Sequence, residues 1–289
     1  MSYRCQPPRR ETRAPKLSTP RGACDSHFHI FGPTDRYPYI DERAYTPPDC
    51  SVADYQKLAD MLGIERKVIV QPSVYGMDNR RTLEAIREFG FETTRGVVVI
   101  SEETSPEELK RMDDIGVRGV RVNSVTGGSA GVDRLEAMAK LIAPLGWHLQ
   151  LFLKGETYPD IEPILKNLPV DFVIDHMGQT MSEEGTDAPG FQSVLRLMES
   201  GKGWAKVTGA YRISSDGPPY SDAAPFARSL VEKAGVDRIV WGTDWPHPDV
   251  KGEMPDDGNL LDLLSDWVPD DADRKKILVE NPARLYGFS

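Results

Sequence analysis

Eight short apolar runs, most of them followed by an amphipathic stretch, constrain this chain more than any other feature. The strand-like runs fall at residues 22–31, 67–71, 95–100, 117–123, 147–154, 171–175, 204–208 and 238–242. Helix-like stretches lie between them. One spans 52–63, with Ser51 as a plausible N-cap, and another spans 79–90. A third opens at Ser105-Pro106-Glu107-Glu108, with proline in the first turn; a fourth spans 133–144 and a fifth ends near Leu168. Strands alternating with helices predict a parallel sheet. A count of eight in 289 residues points to a single-domain, TIM-like (β/α)8 barrel, since such barrels typically take about 250 residues. A doubly wound open sheet is the competing architecture, but no GxGxxG follows the first run. Gly127-Gly128 lacks the lysine of a phosphate-binding loop and reads as a flexible connection. Residues 1–20, rich in arginine and proline, read as an irregular arm, which leaves 21–289 for the barrel.

Charge narrows the partners. The chain has 45 acidic against 35 basic residues, a net charge of −10, which argues against a nucleic-acid surface. A small anionic ligand is still allowed, because a few arginines reverse the potential locally. Cys5, Cys24 and Cys50 are odd in number and form no CxxC, so free thiols in a reducing cytoplasm are expected. No stretch approaches the roughly 20 apolar residues of a membrane span. The arm has no apolar core like that of a secretory signal. The expectation is a cytoplasmic monomer or small homo-oligomer.

The chemistry concentrates at strand ends. Residues 25–29 read Asp-Ser-His-Phe-His, and on a strand His27 and His29 share one face. Two imidazoles so placed make a metal half-site or a proton-handling cluster. Far downstream, 239–247 read Ile-Val-Trp-Gly-Thr-Asp-Trp-Pro-His, an apolar strand that ends in Asp244 and then His247. Ser73 follows the second run, and Arg121 and Asn123 end the fourth. Lys154 ends the fifth and His176 the sixth, while Arg212 follows the seventh. All of these lie where barrel enzymes build their sites. His148 instead begins the fifth strand, at the opposite face, and reads as structural. Asp175, next to His176, would point the other way on a strand and reads as a supporting residue. Lys154 offers either a salt bridge or a substrate contact.

Asp244 is the natural general base, able to deprotonate a water poised over a carbonyl. The imidazoles, alone or through a metal, would stabilise the oxyanion. The reaction class is then hydrolysis of an ester, lactone or amide. Arg121 and Arg212 offer guanidinium forks for carboxylate or sulfonate groups, and Ser73 and Tyr45 neutral hydrogen bonds.

With these motifs in hand, the chain resembles the amidohydrolase superfamily and, within it, the 2-pyrone-4,6-dicarboxylate lactonase family. The resemblance rests on the HxH, on Ile174-Asp175-His176-Met177-Gly178 and on the segment from Trp241 to His247. It extends to Val68-Ile69-Val70-Gln71, Gly119-Val120-Arg121 and Asn281-Pro282-Ala283-Arg284-Leu285-Tyr286. It implies a distorted barrel that opens a lactone, with Asp244 activating water and His27, His29 and His176 around the carbonyl oxygen. Tyr45, Ser73, Arg121, Arg212 and His247 match positions that contact substrate. The resemblance implies that no cofactor is required. A single divalent ion, zinc or manganese, would be held by His27, His29, His176 and Asp244.

Departures from that pattern bear on the substrate. The pyrone dicarboxylate enzymes carry further arginines after the fourth strand and after the strand-six histidine. Here those places read Val125-Thr126-Gly127-Gly128 and Gly178-Gln179, and Phe152 stands where a tyrosine is expected. An anionic unsaturated lactone of the muconolactone or 4-sulfomuconolactone type is therefore expected in place of the pyrone. The pyrone dicarboxylate itself, isomerisation of a sugar-acid lactone and a metal-dependent decarboxylation are the alternatives.

Overall fold

The computed structural model describes residues 3–126 and 131–289, so Gly127 and Gly128 lie outside the described residues. Among the described residues, ten strands occur in chain order: β1 (Tyr3–Arg4), β2 (Cys24–Phe28), β3 (Tyr45–Thr46), β4 (Arg66–Val70), β5 (Thr94–Val98), β6 (Val117–Asn123), β7 (His148–Phe152), β8 (Phe172–Ile174), β9 (Gly203–Lys206) and β10 (Ile239–Val240). β2 and β4 to β10 form one all-parallel sheet, each strand beside its neighbour in sequence. β1 pairs with β3 in a separate two-stranded ribbon.

The sheet closes on itself into a barrel with a short last strand. β10 has only two residues, and the chain beyond it continues the seam. Ser26 N–H donates to the Trp241 carbonyl at 2.9 Å, His29 N–H to that of Trp245 at 2.8 Å, and Asp244 N–H to that of His27 at 2.7 Å. The register of β2 against β4 shifts between Asp25 and Phe28, inside the HxH itself. Gly242 lies against β2, where a Cβ would come within 2.6 Å of the His27 nitrogen. A side chain there would wedge the seam open.

The buried carboxylate of Asp25 knits this seam. It accepts from the N–H groups of His27 (2.9 Å) and Thr243 (3.0 Å), from the Thr243 hydroxyl (2.6 Å) and from the Tyr55 hydroxyl (2.9 Å). Tyr55 lies on the helix Val52–Leu62, whose start is set by a capping box between Ser51 and Asp54. One side chain thus ties the first strand, the last strand and the first helix together.

At the opposite end, Tyr286 and Phe288 pack with Cys24, Val68, Val70 and Val97. His148 is buried there with its ring 5.4 Å from Tyr286, consistent with a structural part. The arm is docked on its own barrel. Arg9 Nε donates to the Met254 carbonyl at 2.8 Å, and Leu17 N–H to Asp262 at 2.9 Å. Among the described residues, no helix is long and apolar enough to cross a membrane.

Asp25→Ala is expected to lower the unfolding free energy by about 3 kcal/mol or more, because four buried donors lose their acceptor at once. Chemical denaturation measures this; a loss below about 1 kcal/mol would show that the seam is held elsewhere.

Candidate active site

Asp244 is the centre around which the other groups are arranged. It is fully buried at the end of the last strand, in a left-handed backbone conformation (φ 64°). His176 (φ 48°) and His247 (φ 58°) share this unusual state for residues other than glycine. Three forced backbones at one barrel mouth are the mark of a site whose side chains are aimed at the expense of local ease.

The two carboxylate oxygens differ. Oδ2 accepts from Arg212 Nε and from the Tyr211 hydroxyl, each at 2.5 Å. Oδ1 has no hydrogen-bond partner among the described residues, and it faces His29 Nε2 at 3.4 Å and His27 Nε2 at 3.7 Å. His176 Nε2 lies 3.9 Å from Oδ2. The His27 ring centre is 5.1 Å from that of His29 and 4.7 Å from that of His176. One oxygen is anchored and the other faces a nest of imidazoles.

Tyr211 and Arg212 lie on the short helix Ala210–Ile213, started by Gly209 at φ 64°. A Cβ on Gly209 would come 2.8 Å from His176 Nδ1, so this turn is open to glycine alone. The helix brings Arg212 into direct contact with Asp244.

The remaining predicted residues divide. Tyr45 and Ser73 are buried with their oxygens 3.3 Å apart. Arg121 is buried, donates to the Gln71 carbonyl at 3.0 Å, and keeps Nε without a partner. Phe152 lies between two cations, with the guanidinium carbons of Arg121 and Arg212 at 5.1 and 5.9 Å from its ring centre. His247 is buried, its Nδ1 3.2 Å from the Tyr211 hydroxyl and its Nε2 3.1 Å from Asp257. Lys154 stands apart: its side chain is 63% exposed, and it lies 3.8 Å from Glu156. β7 ends at Phe152, so the two further residues carry Lys154 out to solvent.

Asp175 does not turn away from the site. β8 ends at Ile174, and the left-handed His176 reverses the alternation that a longer strand would impose. Both side chains therefore enter the barrel, Asp175 Oδ1 lying 3.3 Å from His27 Nδ1. Lys206, at the end of β9, was not among the sequence candidates. It is fully buried, with Nζ 3.3 Å from His27 Nδ1 and 3.5 Å from Asp175 Oδ1. A lysine in the middle of the apolar run 204–208 is the available signal, but a lysine paired at the surface is the commoner fate.

Burial sets the charge states. It pushes His27 and His29 below the ordinary 6.5 and His176 down to about 3, although Asp244 works the other way on His29 and His176. Burial would raise the Asp244 carboxyl, but the group lies well below the usual carboxylate range, with the Arg212 guanidinium beside it the largest opposing cause. Burial also brings Lys206 down to about 8, with Asp175 opposing. The result is neutral imidazoles around an ionised carboxylate.

Metal donors are present in two sets. His27, His29 and Asp244 each offer an atom within 4.8 Å of the others, as do His27, Asp175 and His176. The first set includes the unpartnered His27 Nε2 and Asp244 Oδ1, and its donors fit a divalent ion such as zinc or manganese. The second is already served by the Lys206 ammonium and fits one poorly. Above the cluster lies a cavity of about 440 Å³ lined by Thr126, Phe152, Gln179, Tyr211, Arg212 and Lys251, a size that suits a small molecule. It meets the cluster through Arg212 and Tyr211, the two residues that hold Asp244 Oδ2; three larger surface clefts, of about 780, 820 and 730 Å³, are lined by neither.

A parallel barrel with an ionised carboxylate and histidines at its C-terminal mouth is the frame of a hydrolytic enzyme. The amidohydrolase family model matches residues 24–288, and the chain belongs to that family. It is 40% identical to a 2-pyrone-4,6-dicarboxylate hydrolase of Comamonas testosteroni, over 94% of this chain and 92% of the relative. It is 39% identical to a 4-sulfomuconolactone hydrolase of Hydrogenophaga intermedia, over 99% and 96%. It is 34% identical to a D-galactarolactone isomerase of Agrobacterium fabrum, over 96% and 94%.

As pH falls, a histidine whose value is lowered stays neutral through the range where a free one gains a proton. The rings of His27 and His176 are therefore expected to show no titration between about pH 7.5 and about pH 5 in histidine NMR spectra, and His29 a midpoint below that of a free histidine. A midpoint near 6.5 at any of the three would contradict the burial argument.

Proposed function

We propose that this enzyme opens an anionic unsaturated lactone of the muconolactone or 4-sulfomuconolactone type by hydrolysis. The observation that carries the reading is the asymmetry of Asp244. Oδ2 is held by Arg212 and Tyr211, so Oδ1 alone is left to accept a proton. Water donates that proton to Oδ1 as its oxygen bonds to the lactone carbonyl carbon. The carbonyl π pair moves onto its oxygen, beside the imidazoles of His27, His29 and His176 and within a dry, low-dielectric site. Collapse of this intermediate breaks the ring C–O bond, and the leaving oxygen takes the proton back from Asp244. A divalent ion, when bound by His27, His29 and Asp244, would supply further polarisation of the carbonyl.

The anionic class is supported by Arg121, whose buried Nε is unpartnered beside the aromatic face of Phe152. Arg212 is committed to Asp244, which leaves fewer free cations than a planar dicarboxylate calls for. Among the described residues, Val125, Thr126, Gly178 and Gln179 add no cation at the mouth. This favours a lactone with one strong anionic group near Arg121. Tyr45, Ser73 and His247 are assigned to substrate contacts. Isomerisation is the second reading, favoured by the likeness to the Agrobacterium fabrum protein.

Ultraviolet loss of muconolactone, 4-sulfomuconolactone and the pyrone dicarboxylate, each with and without chelator, tests the proposal. Turnover of a muconolactone at least about tenfold above the pyrone is expected, and Asp244→Asn should cut kcat by about a thousandfold or more. Clean turnover of the pyrone alone would overturn the substrate assignment. A ring-shifted lactone in place of an open acid, seen by NMR of a sugar-acid lactone reaction, would establish the isomerase. Arg121→Met is expected to raise KM about tenfold or more with kcat changed far less, the pattern of lost ground-state binding.

A further inference from the structure

The HxH holds two histidines whose ring nitrogens are committed in opposite ways. His29 Nδ1 lies 2.8 Å from the Val70 carbonyl oxygen. A carbonyl only accepts, so Nδ1 carries the hydrogen, and the neutral ring turns a lone pair on Nε2 toward Asp244. His27 faces a different neighbour. Its Nδ1 lies 3.3 Å from Lys206 Nζ in hydrogen-bonding geometry.

Lys206 has three hydrogens and, besides Asp175 Oδ1 at 3.5 Å, three atoms in hydrogen-bonding geometry. Nζ donates to the Ser26 carbonyl at 2.8 Å and to Gln150 Oε1 at 2.8 Å. The Gln150 amide is itself oriented, because its Nε2 donates to Asp175 Oδ2 at 3.0 Å. The third hydrogen is left for His27 Nδ1. Asp175 Oδ1 competes at 3.3 Å from Nδ1, yet that oxygen takes part in no hydrogen bond among the described residues. An ammonium cannot accept, so the nitrogen it faces must present its lone pair.

We propose that Lys206 is a positioning residue that fixes His27 as the Nε2–H tautomer, so that the HxH presents one donor and one acceptor to the reacting groups. The His27 Nε2–H has no partner among the described residues and points into the cluster around Asp244 Oδ1. It is a preset donor for the carbonyl oxygen as negative charge grows there. The His29 lone pair, beside Asp244 Oδ1, faces the hydrogens of the incoming water. Lys206 never touches substrate; it acts through the ring it holds. A divalent ion on His27 Nε2 would require the other tautomer, with the hydrogen on Nδ1 toward Asp175. The identity of the acceptor rests on the lactone-hydrolase reading, whereas the tautomer does not.

The test is long-range proton–nitrogen NMR of the full chain labelled with 15N-histidine, at about pH 7, with His27 assigned by its loss in His27→Asn. The resting enzyme is expected to show His27 protonated at Nε2 and His29 at Nδ1. Protonation of His27 at Nδ1 in the native enzyme overturns the proposal without recourse to any further variant. Lys206→Met is expected to switch His27 to Nδ1–H, directed at Asp175, and Asp175→Asn to leave it at Nε2–H; the reverse pattern would assign control to Asp175 instead. In turnover of the lactone found above, Lys206→Met should lower kcat by about a hundredfold with KM changed less than about threefold. A loss confined to KM would overturn the positioning role. Failure of every lactone would leave the spectra readable, so the two readings fall separately.

Discussion

The seam between the first and last barrel strands is the constraint on which the site depends. β10 is too short to close the barrel by itself, so closure passes to the segment Trp241 to Trp245 and to the Asp25 carboxylate. That segment carries Asp244, and the strand it meets carries His27 and His29. Closing the barrel and assembling the cluster are therefore one event. The hydrogen bond from Asp244 N–H to the His27 carbonyl links the backbone of the carboxylate directly to the strand of the imidazoles.

Electrostatics then decide what the assembled groups can do. A carboxylate stripped of water is unstable as an anion unless fixed charges and dipoles replace the solvent. Arg212 and Tyr211 do this at one oxygen only. The other stays basic in position, although the group as a whole is held ionised. The imidazoles, desolvated in the same cavity, resist protonation and so remain available as neutral donors and acceptors. Below them, Lys206, Asp175 and Gln150 form a buried polar layer that keeps the rings in place.

Much of this was legible along the chain because a parallel barrel writes itself in a regular alternation. The strand 117–123 was expected and found with the same bounds, and Ser51 caps its helix as its side chain and spacing imply. Strand ends also point to the cluster: of the residues that surround Asp244, the positions of His27, His29, His176 and Arg212 along the chain mark them as candidates. Lys154 and Asp175 show where that reasoning stops. Both readings assumed a strand that continued, whereas β7 ends two residues before Lys154 and β8 one before Asp175. Past a strand end the period of two no longer holds, and a single left-handed residue reverses which side chain enters the barrel. Lys206 and Tyr211 escaped notice for a different reason. Their partners lie far away in sequence, 179 residues from Lys206 to His27 and 33 from Tyr211 to Asp244, and no local pattern marks such pairs.

The sequence by itself determined the barrel, the end of it at which histidines, arginines and Asp244 gather and the residue types found there, since periodicity, strand order and motif spacing are properties of the chain. Tertiary structure alone decided which oxygen of Asp244 is free, which histidine nitrogens face it and that a lysine lies buried beneath them. Those are matters of distance between segments far apart in the chain, and of the water excluded when they meet.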